Sequence, residues 1–234
     1  MPTIPAEPYD FELDPARAAV LVIDMQRDFL EPGGFGAALG NDVSLLRQAI
    51  GPIGDVLDAA RRADMLVLHT REGHRPDLAD LPPSKRARGR FVTRIGDAGP
   101  MGRILIHGEP GHALIPELAP LPGEPVIDKP GKGAFYATGL GPLLADHGIT
   151  QLIVCGVTTE VCVSSTVREA NDRGLDCLVL RDGTASYRPD FHEAALRMIA
   201  AQGGIFGWVG SAGPVCTALA CAAISADRPS DSKI

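Results

Sequence analysis

No apolar stretch in the sequence approaches the roughly 18 residues of a membrane-spanning helix, so no transmembrane segment is expected in the 234 residues. The sequence also lacks an apolar leader, a repeated CxxC pair and an even cysteine count; the five cysteines are Cys155, Cys162, Cys177, Cys216 and Cys221. Such a set points to reduced thiols and a cytoplasmic setting. Positive charge is in deficit, with 22 Lys and Arg against 29 Asp and Glu for a net charge of -7, and a chain of that sign repels polyanions unless its cations cluster. The densest basic run, PSKRARGR around Lys85 to Arg90, has no interleaved aromatics on which bases could stack. It reads as a solvated loop, a lid or a subunit contact, and nucleic acid is not an expected partner.

Two catalytic signatures are missing as well. Without a GxSxG elbow, Ser-His-Asp hydrolysis has no support. Without HExxH, the nearest metal-like cluster is HTREGH, with His69, Glu72 and His74. No further His follows at a ligand-like interval, and Arg71 and Arg75 would oppose a cation, so no metal is expected and the segment reads as a loop gating a site.

What is present is a repeating pattern. After a Pro-, Glu- and Asp-rich start comes AAVLVIDMQ, then helical stretches alternate with the apolar runs MLVLHT, PVIDK, QLIVCGV, DCLVL and IFGWVG. Apolar runs of four to eight residues between amphipathic helices indicate βαβ units and a parallel sheet covered on both faces, an α/β fold. A chain of this length buries enough apolar surface to need no disulfide staples. Residues 1–17 read as an extended arm, 18–225 as one domain and 226–234 as a polar tail.

Ligands of such sheets sit at the carboxyl ends of the strands. The residues ending the runs are Asp24, His69, Lys129, Thr158 and Cys162. Taken singly, Asp24 could be a turn former, Lys129 and Lys132 loop lysines, and Cys162 a small buried hydrophobe. Taken together, Asp24, Lys129 and Cys162 form a nucleophile system. A cysteine in the first turn of a helix faces unpaired N–H groups that favour thiolate, a lysine lowers its pKa further, and a carboxylate accepts its proton. The backbone amides of Thr158 and Cys162 at the same turn are candidates for an oxyanion hole. Cys155 and Cys177 lie inside apolar strands and read as core, whereas Cys216 and Cys221 belong to a small-residue segment with no partner motif.

VLVIDMQRDF, DKPGKGAF and VCGVTTEVCV, in that order, resemble the isochorismatase-like cysteine hydrolases across residues 18–210. The resemblance implies a three-layer α/β/α fold with a mostly parallel six-stranded sheet and a catalytic triad of Asp24, Lys129 and Cys162. It further implies a cis peptide before Thr158 that turns the Thr158 and Cys162 amides toward one point, no cofactor, and assembly as a homotetramer or dimer. HTREGHRPDLADLP, GRILIHGEPG, KPGKG, REANDRG and QGGIFG are similar to the biuret and triuret hydrolases, which cleave linear ureides. That likeness implies substrate contacts from Lys132 and Gln202 and a pocket wall at Phe29. Nicotinamidases of the family carry an Asp-His-His metal set after the second strand, where this chain has REGHRPDL.

The expectation is therefore a cysteine amidohydrolase converting triuret and water to carboxybiuret and ammonia, with decarboxylation to biuret. Triuret is placed ahead of biuret because KGAFYATG and the short arm differ from the biuret enzyme. The alternatives are biuret hydrolysis, or hydrolysis of ureidoacrylate or N-carbamoyl amides, whose carboxylate would need Arg71, Arg75 or Arg188. A non-catalytic protein that kept the fold is a further possibility, which the intact triad argues against.

Overall fold

The computed structural model describes residues 1–86 and 93–226. Residues 87–90 of the basic run and 227–234 of the expected tail lie outside the described residues. Six parallel strands form the central sheet: β1 (Ala18–Ile23), β2 (Leu66–Glu72), β3 (Val126–Lys129), β4 (Gln151–Val157), β5 (Asp176–Ala185) and β6 (Trp208–Gly210), in the order β6-β5-β4-β1-β2-β3. The long helices are α1 (Ile50–Arg62), α2 (Leu140–Asp146), α3 (Ser164–Asn171), α4 (Pro189–Gly204) and α5 (Ala212–Ala226). This is the three-layer architecture expected from the alternating pattern.

Strand β1 shows why a continuous apolar run is needed. All six of its side chains are buried, because successive residues point to opposite faces and both faces are covered. Ala18, Val20 and Val22 join a core with Ile53, Val56 and Leu57 of α1 and Val215 and Leu219 of α5. Ala19, Leu21 and Ile23 join a second core with Leu140 and Leu144 of α2, Val163 and Val167 beside Cys162, and Leu196 and Ile199 of α4. Each fully buried Val, Leu or Ile contributes about 1.5–3 kcal/mol of transfer free energy. No described helix is long and apolar enough to cross a membrane.

The N-terminal segment, read from its composition as an extended arm, is docked on the domain. Ile4, Phe11 and Leu13 are buried, Thr3–Ile4 pairs antiparallel with Phe11–Glu12, and Glu7 exchanges backbone bonds of 2.8 and 2.9 Å with Val209. Three apolar side chains in an otherwise polar stretch dock it on the core. They cover edge strand β6, whose unpaired backbone would otherwise be open to another chain.

Strand order changes direction beside β1: β2 and β3 continue to one side, and β4, β5 and β6 lie on the other. The carboxyl ends of β1 and β4 therefore flank the switch point at which such sheets form a crevice. Gly156 lets them come close. Its φ is +112°, and a Cβ there would stand 2.1 Å from the Ile23 carbonyl oxygen, so a side chain would force β4 away from the turn that carries Asp24.

Candidate active site

Four adjacent strand ends deliver the polar groups. Asp24 follows β1 with φ 51°, a left-handed conformation that Asp tolerates better than most residues. Glu72 and Lys129 end β2 and β3 and are direct partners in the register. Cys162 follows β4 in a π-helical turn, Thr159–Val163, that leads into α3. Burial is nearly complete: Asp24 and Lys129 are 0% exposed, Glu72 2% and Cys162 4%.

The Lys129 ammonium lies 2.7 Å from Asp24 Oδ2 and 4.0 Å from Glu72 Oε2, and donates to the carbonyls of Gly131 (2.9 Å) and Lys132 (3.0 Å). Thr70 Oγ1 donates to Asp24 Oδ1 at 2.7 Å. Apart from the ion pair, Asp24 Oδ2 has no hydrogen-bond partner among the described residues. The Cys162 thiol donates to Glu72 Oε2 at 3.5 Å, and Lys132 Nζ donates to Glu72 Oε1 at 2.5 Å. The sequence-derived set of Asp24, Lys129 and Cys162 is thus brought together, and Glu72 is a fourth member that sequence reasoning had placed in a metal-like cluster. The missed signal was strand length: β2 runs three residues past His69. His69 points to the other face, 3.2 Å from Glu124.

Electrostatics overturn one expectation. Burial is the largest influence on the Cys162 thiol, and with the carboxylates of Asp24 and Glu72 it outweighs Lys129 and Lys132, holding the pKa well above the ordinary cysteine value. That direction is opposite to the lowering expected from a helix start and a lysine. Burial would also depress the Lys129 ammonium, but Asp24, Cys162 and Glu72 together raise it. Glu72 shows the converse: burial favours its neutral form, yet Lys132, Lys129 and the thiol bond lower its pKa.

Bracing comes from the first motif. Gln26, fully buried, accepts from Glu72 N–H at 2.7 Å and donates to the carbonyls of Glu72 (2.9 Å) and His112 (3.1 Å). Asp28 accepts from Leu105 N–H at 2.9 Å. Both stand in VLVIDMQRDF, but nothing in that string marks them as supports.

Cys162 opens on a cavity of about 180 Å³ lined also by Phe29, Phe35, Tyr187, Asn41, Glu160, Lys132 and Thr158. Phe29 and Lys132, the expected pocket wall and substrate contact, both line this cavity. The Val157–Thr158 peptide is cis, as the resemblance implied, and the Thr158 N–H makes no backbone bond among the described residues. Gln202, the other expected substrate contact, is not among the residues lining this cavity. Helix α4 begins just after the carboxyl end of β5 and returns to the opposite end of the sheet before β6, and Gln202 sits there exposed, with φ 53°. The three arginines considered for a substrate carboxylate are engaged: Arg71 with Asp128 at 2.7 Å, Arg75 with Asp77 at 3.0 Å and Arg188 with Asp190 at 3.2 Å. Cys155 and Cys177 are core thiols, pushed up to about 12 by burial.

Residues 18–212 match the family described as Isochorismatase domain. A cysteine hydrolase from Pseudomonas syringae pv. phaseolicola 1448A is 26% identical, with 95% of this chain and 99% of that one covered and a TM-score of 0.73. An isochorismatase family protein from Desulfovibrio vulgaris subsp. vulgaris str. Hildenborough is also 26% identical at a TM-score of 0.73, with 87% and 98% covered. An isochorismatase-like hydrolase from Alkaliphilus metalliredigens shares 26% identity over 86% and 98% of the two chains, with a TM-score of 0.66.

Proposed function

The chain belongs to the isochorismatase domain family and is a hydrolase of C–N bonds of the cysteine-dependent kind; we propose that its substrates are linear ureides, triuret first. The observation that carries the reading is the join between the Cys162 cluster and its cavity. The cavity has an aromatic wall in Phe29, Phe35 and Tyr187, and hydrogen-bonding groups in Asn41, Glu160 and Lys132. Its one cation among the described residues, Lys132, is paired with Glu72 at 2.5 Å. A planar, uncharged chain of carbonyls and amides suits a flat apolar face with donors and acceptors along an edge.

In the proposed mechanism Cys162 Sγ attacks a terminal carbonyl while its proton passes to Asp24. Asp24 is assigned the base role, and Glu72, which accepts from the thiol at 3.5 Å, is the alternative proton acceptor. Lys129 offsets the negative charge that forms on sulfur. The Thr158 and Cys162 amides hold the tetrahedral oxyanion. Collapse breaks the C–N bond, Asp24 returns the proton to the leaving nitrogen, and ammonia departs from an S-acyl enzyme. Water deprotonated by Asp24 then cleaves the C–S bond, releasing carboxybiuret and restoring the thiol. Carboxybiuret loses carbon dioxide to give biuret.

A second reading is favoured by one feature. An adjoining cavity of about 320 Å³ shares Phe35, Glu72 and Lys132 and adds Lys85, Arg86 and Arg94, so a substrate carboxylate could be held there. The test is ammonia release from purified protein given triuret, biuret, ureidoacrylate and an N-carbamoyl amino acid in parallel. Preference for triuret or biuret supports the neutral ureide assignment and ranks the two. Turnover of the carboxylated compounds alone rejects it and moves recognition to the basic cavity.

A further inference from the structure

Arg71 and Asp128 are partners across β2 and β3, as are Glu72 and Lys129 one residue on. Because successive strand side chains point to opposite faces, the first pair lies behind the candidate active site. Three donors that the mechanism does not use converge there. One ring nitrogen each of His107 and His112 and one carboxylate oxygen of Asp128 lie within 4.8 Å of one another. The two imidazoles stand 5.0 Å apart between centroids, tilted by 47°. Both Nε2 atoms are buried without a hydrogen-bond partner among the described residues, and His112 is only 2% exposed. His112 Nε2 is 3.5 Å from Asp128 Oδ1, too far for a good hydrogen bond.

Buried ring nitrogens left unpaired are unfavourable, and one group placed between them would satisfy both. Gly73 keeps their edge clear, since a Cβ there would stand 2.4 Å from His112 Nε2 and 2.8 Å from His107 Cδ2. Arg71, which would oppose a cation if its charge were unpaired, is bound to the carboxylate here, its Nε and Nη2 donating to the two Asp128 oxygens at 2.7 and 3.0 Å. A carboxylate oxygen has a second lone pair, and metal-ligating carboxylates are commonly oriented by such outer hydrogen bonds. Two imidazoles and one carboxylate form a nitrogen-rich set suited to zinc and its first-row neighbours, with water as fourth ligand.

We propose that His107, His112 and Asp128 bind one divalent transition cation, zinc foremost, on the face of the β2–β3 pair away from Cys162. The ion clamps the loop carrying His107 and His112 to edge strand β3. Its influence reaches the catalytic cluster through His112, whose carbonyl accepts from the same Gln26 side chain that braces Glu72. The proposal does not depend on which amide is cleaved.

The test must separate this cluster from Asp24, Glu72 and Cys162, whose ligand atoms also lie within 4.8 Å of one another. Chelator-stripped protein is titrated with Zn(II) alone by calorimetry and with Co(II) by visible absorption. The proteins compared are wild type, Cys162→Ser, His107→Gln, His112→Ala, Asp128→Asn and Arg71→Gln, each checked by circular dichroism. One equivalent is expected in wild type and Cys162→Ser, with a cobalt spectrum lacking a thiolate band. Binding is lost in His107→Gln, His112→Ala and Asp128→Asn, and weakens about 10–100-fold in Arg71→Gln, as for loss of an outer-shell partner. The half-buried His107 supplies the decisive variant if the buried His112→Ala does not fold. Absence of binding by folded wild-type protein overturns the proposal. So does binding that survives His107→Gln but disappears in Cys162→Ser.

Discussion

Cys155 and Cys162 stand seven residues apart, both buried, both with thiol pKa values raised, yet they occupy different chemical surroundings. Cys155 lies within β4 in the core formed with α1 and α5, and its nearest polar contact is the Leu21 carbonyl at 3.7 Å. Cys162 lies just past the end of the same strand, where Asp24, Glu72, Lys129 and Lys132 act on it. Burial alone makes an inert thiol. Burial beside a carboxylate with a free lone pair and an ammonium that offsets the resulting charge makes a thiol that can ionise during attack. The difference is one of position in the fold: inside a strand the neighbours are aliphatic, whereas at a strand's carboxyl end they are whatever the adjacent loops supply.

The comparison breaks most sharply by deletion. Cys162→Ala should lower kcat by more than about 10³-fold, in the range seen when a covalent nucleophile is removed. Cys155→Ala should leave kcat nearly unchanged and cost about 1 kcal/mol of stability, as for loss of a small buried side chain. Steady-state ammonia release and denaturant melts read the two effects. A kcat loss in Cys155→Ala matching that in Cys162→Ala would dissolve the distinction.

The next effect separates the two carboxylates. Asp24→Asn should cost about 10²–10⁴-fold in kcat, the usual contribution of a general acid–base group. Glu72→Gln, which weakens the contacts to Lys132 and the thiol, should cost about 10–100-fold in kcat/KM, the equivalent of one charged hydrogen bond. If Glu72→Gln proves the more damaging, the proton passes to Glu72 and the roles exchange.

The smallest effect is in thiol reactivity. Glu72 is among the groups that raise the Cys162 pKa, so its neutralisation in Glu72→Gln should lower that pKa and speed iodoacetamide modification of Cys162 at pH 8. Cys155, held at about 12 by burial alone, should stay unmodified in both proteins. Peptide mass mapping after timed quenching gives the rates, and an unchanged Cys162 rate would remove Glu72 from its electrostatic surroundings.

Much of the fold was legible because a buried parallel strand leaves a direct trace. AAVLVI, QLIVCGV and DCLVL are apolar in every residue or nearly so, and each lies in the sheet. Asp24, Lys129 and Cys162 were legible because each closes such a run or follows it closely. Glu72 was not, because β2 ends LVLHTRE and its apolar pattern fades before the strand does. The docking of the N-terminal segment was also hidden, since Ile4, Phe11 and Leu13 are too scattered among polar residues to show a period. The place of Gln202 was not legible, because a motif carries no information about which end of the sheet a returning helix reaches.

The central claim is that the substrate is attacked by Cys162 and by no other thiol. Wild-type protein mixed with triuret, acid-quenched within its first turnovers and mapped by peptide mass spectrometry tests it directly. The account predicts an acyl adduct on the peptide carrying Cys162, with Cys155 and Cys177 unmodified and no adduct in Cys162→Ala. Ammonia release by Cys162→Ala at the wild-type rate, or an adduct on a different residue, would contradict it.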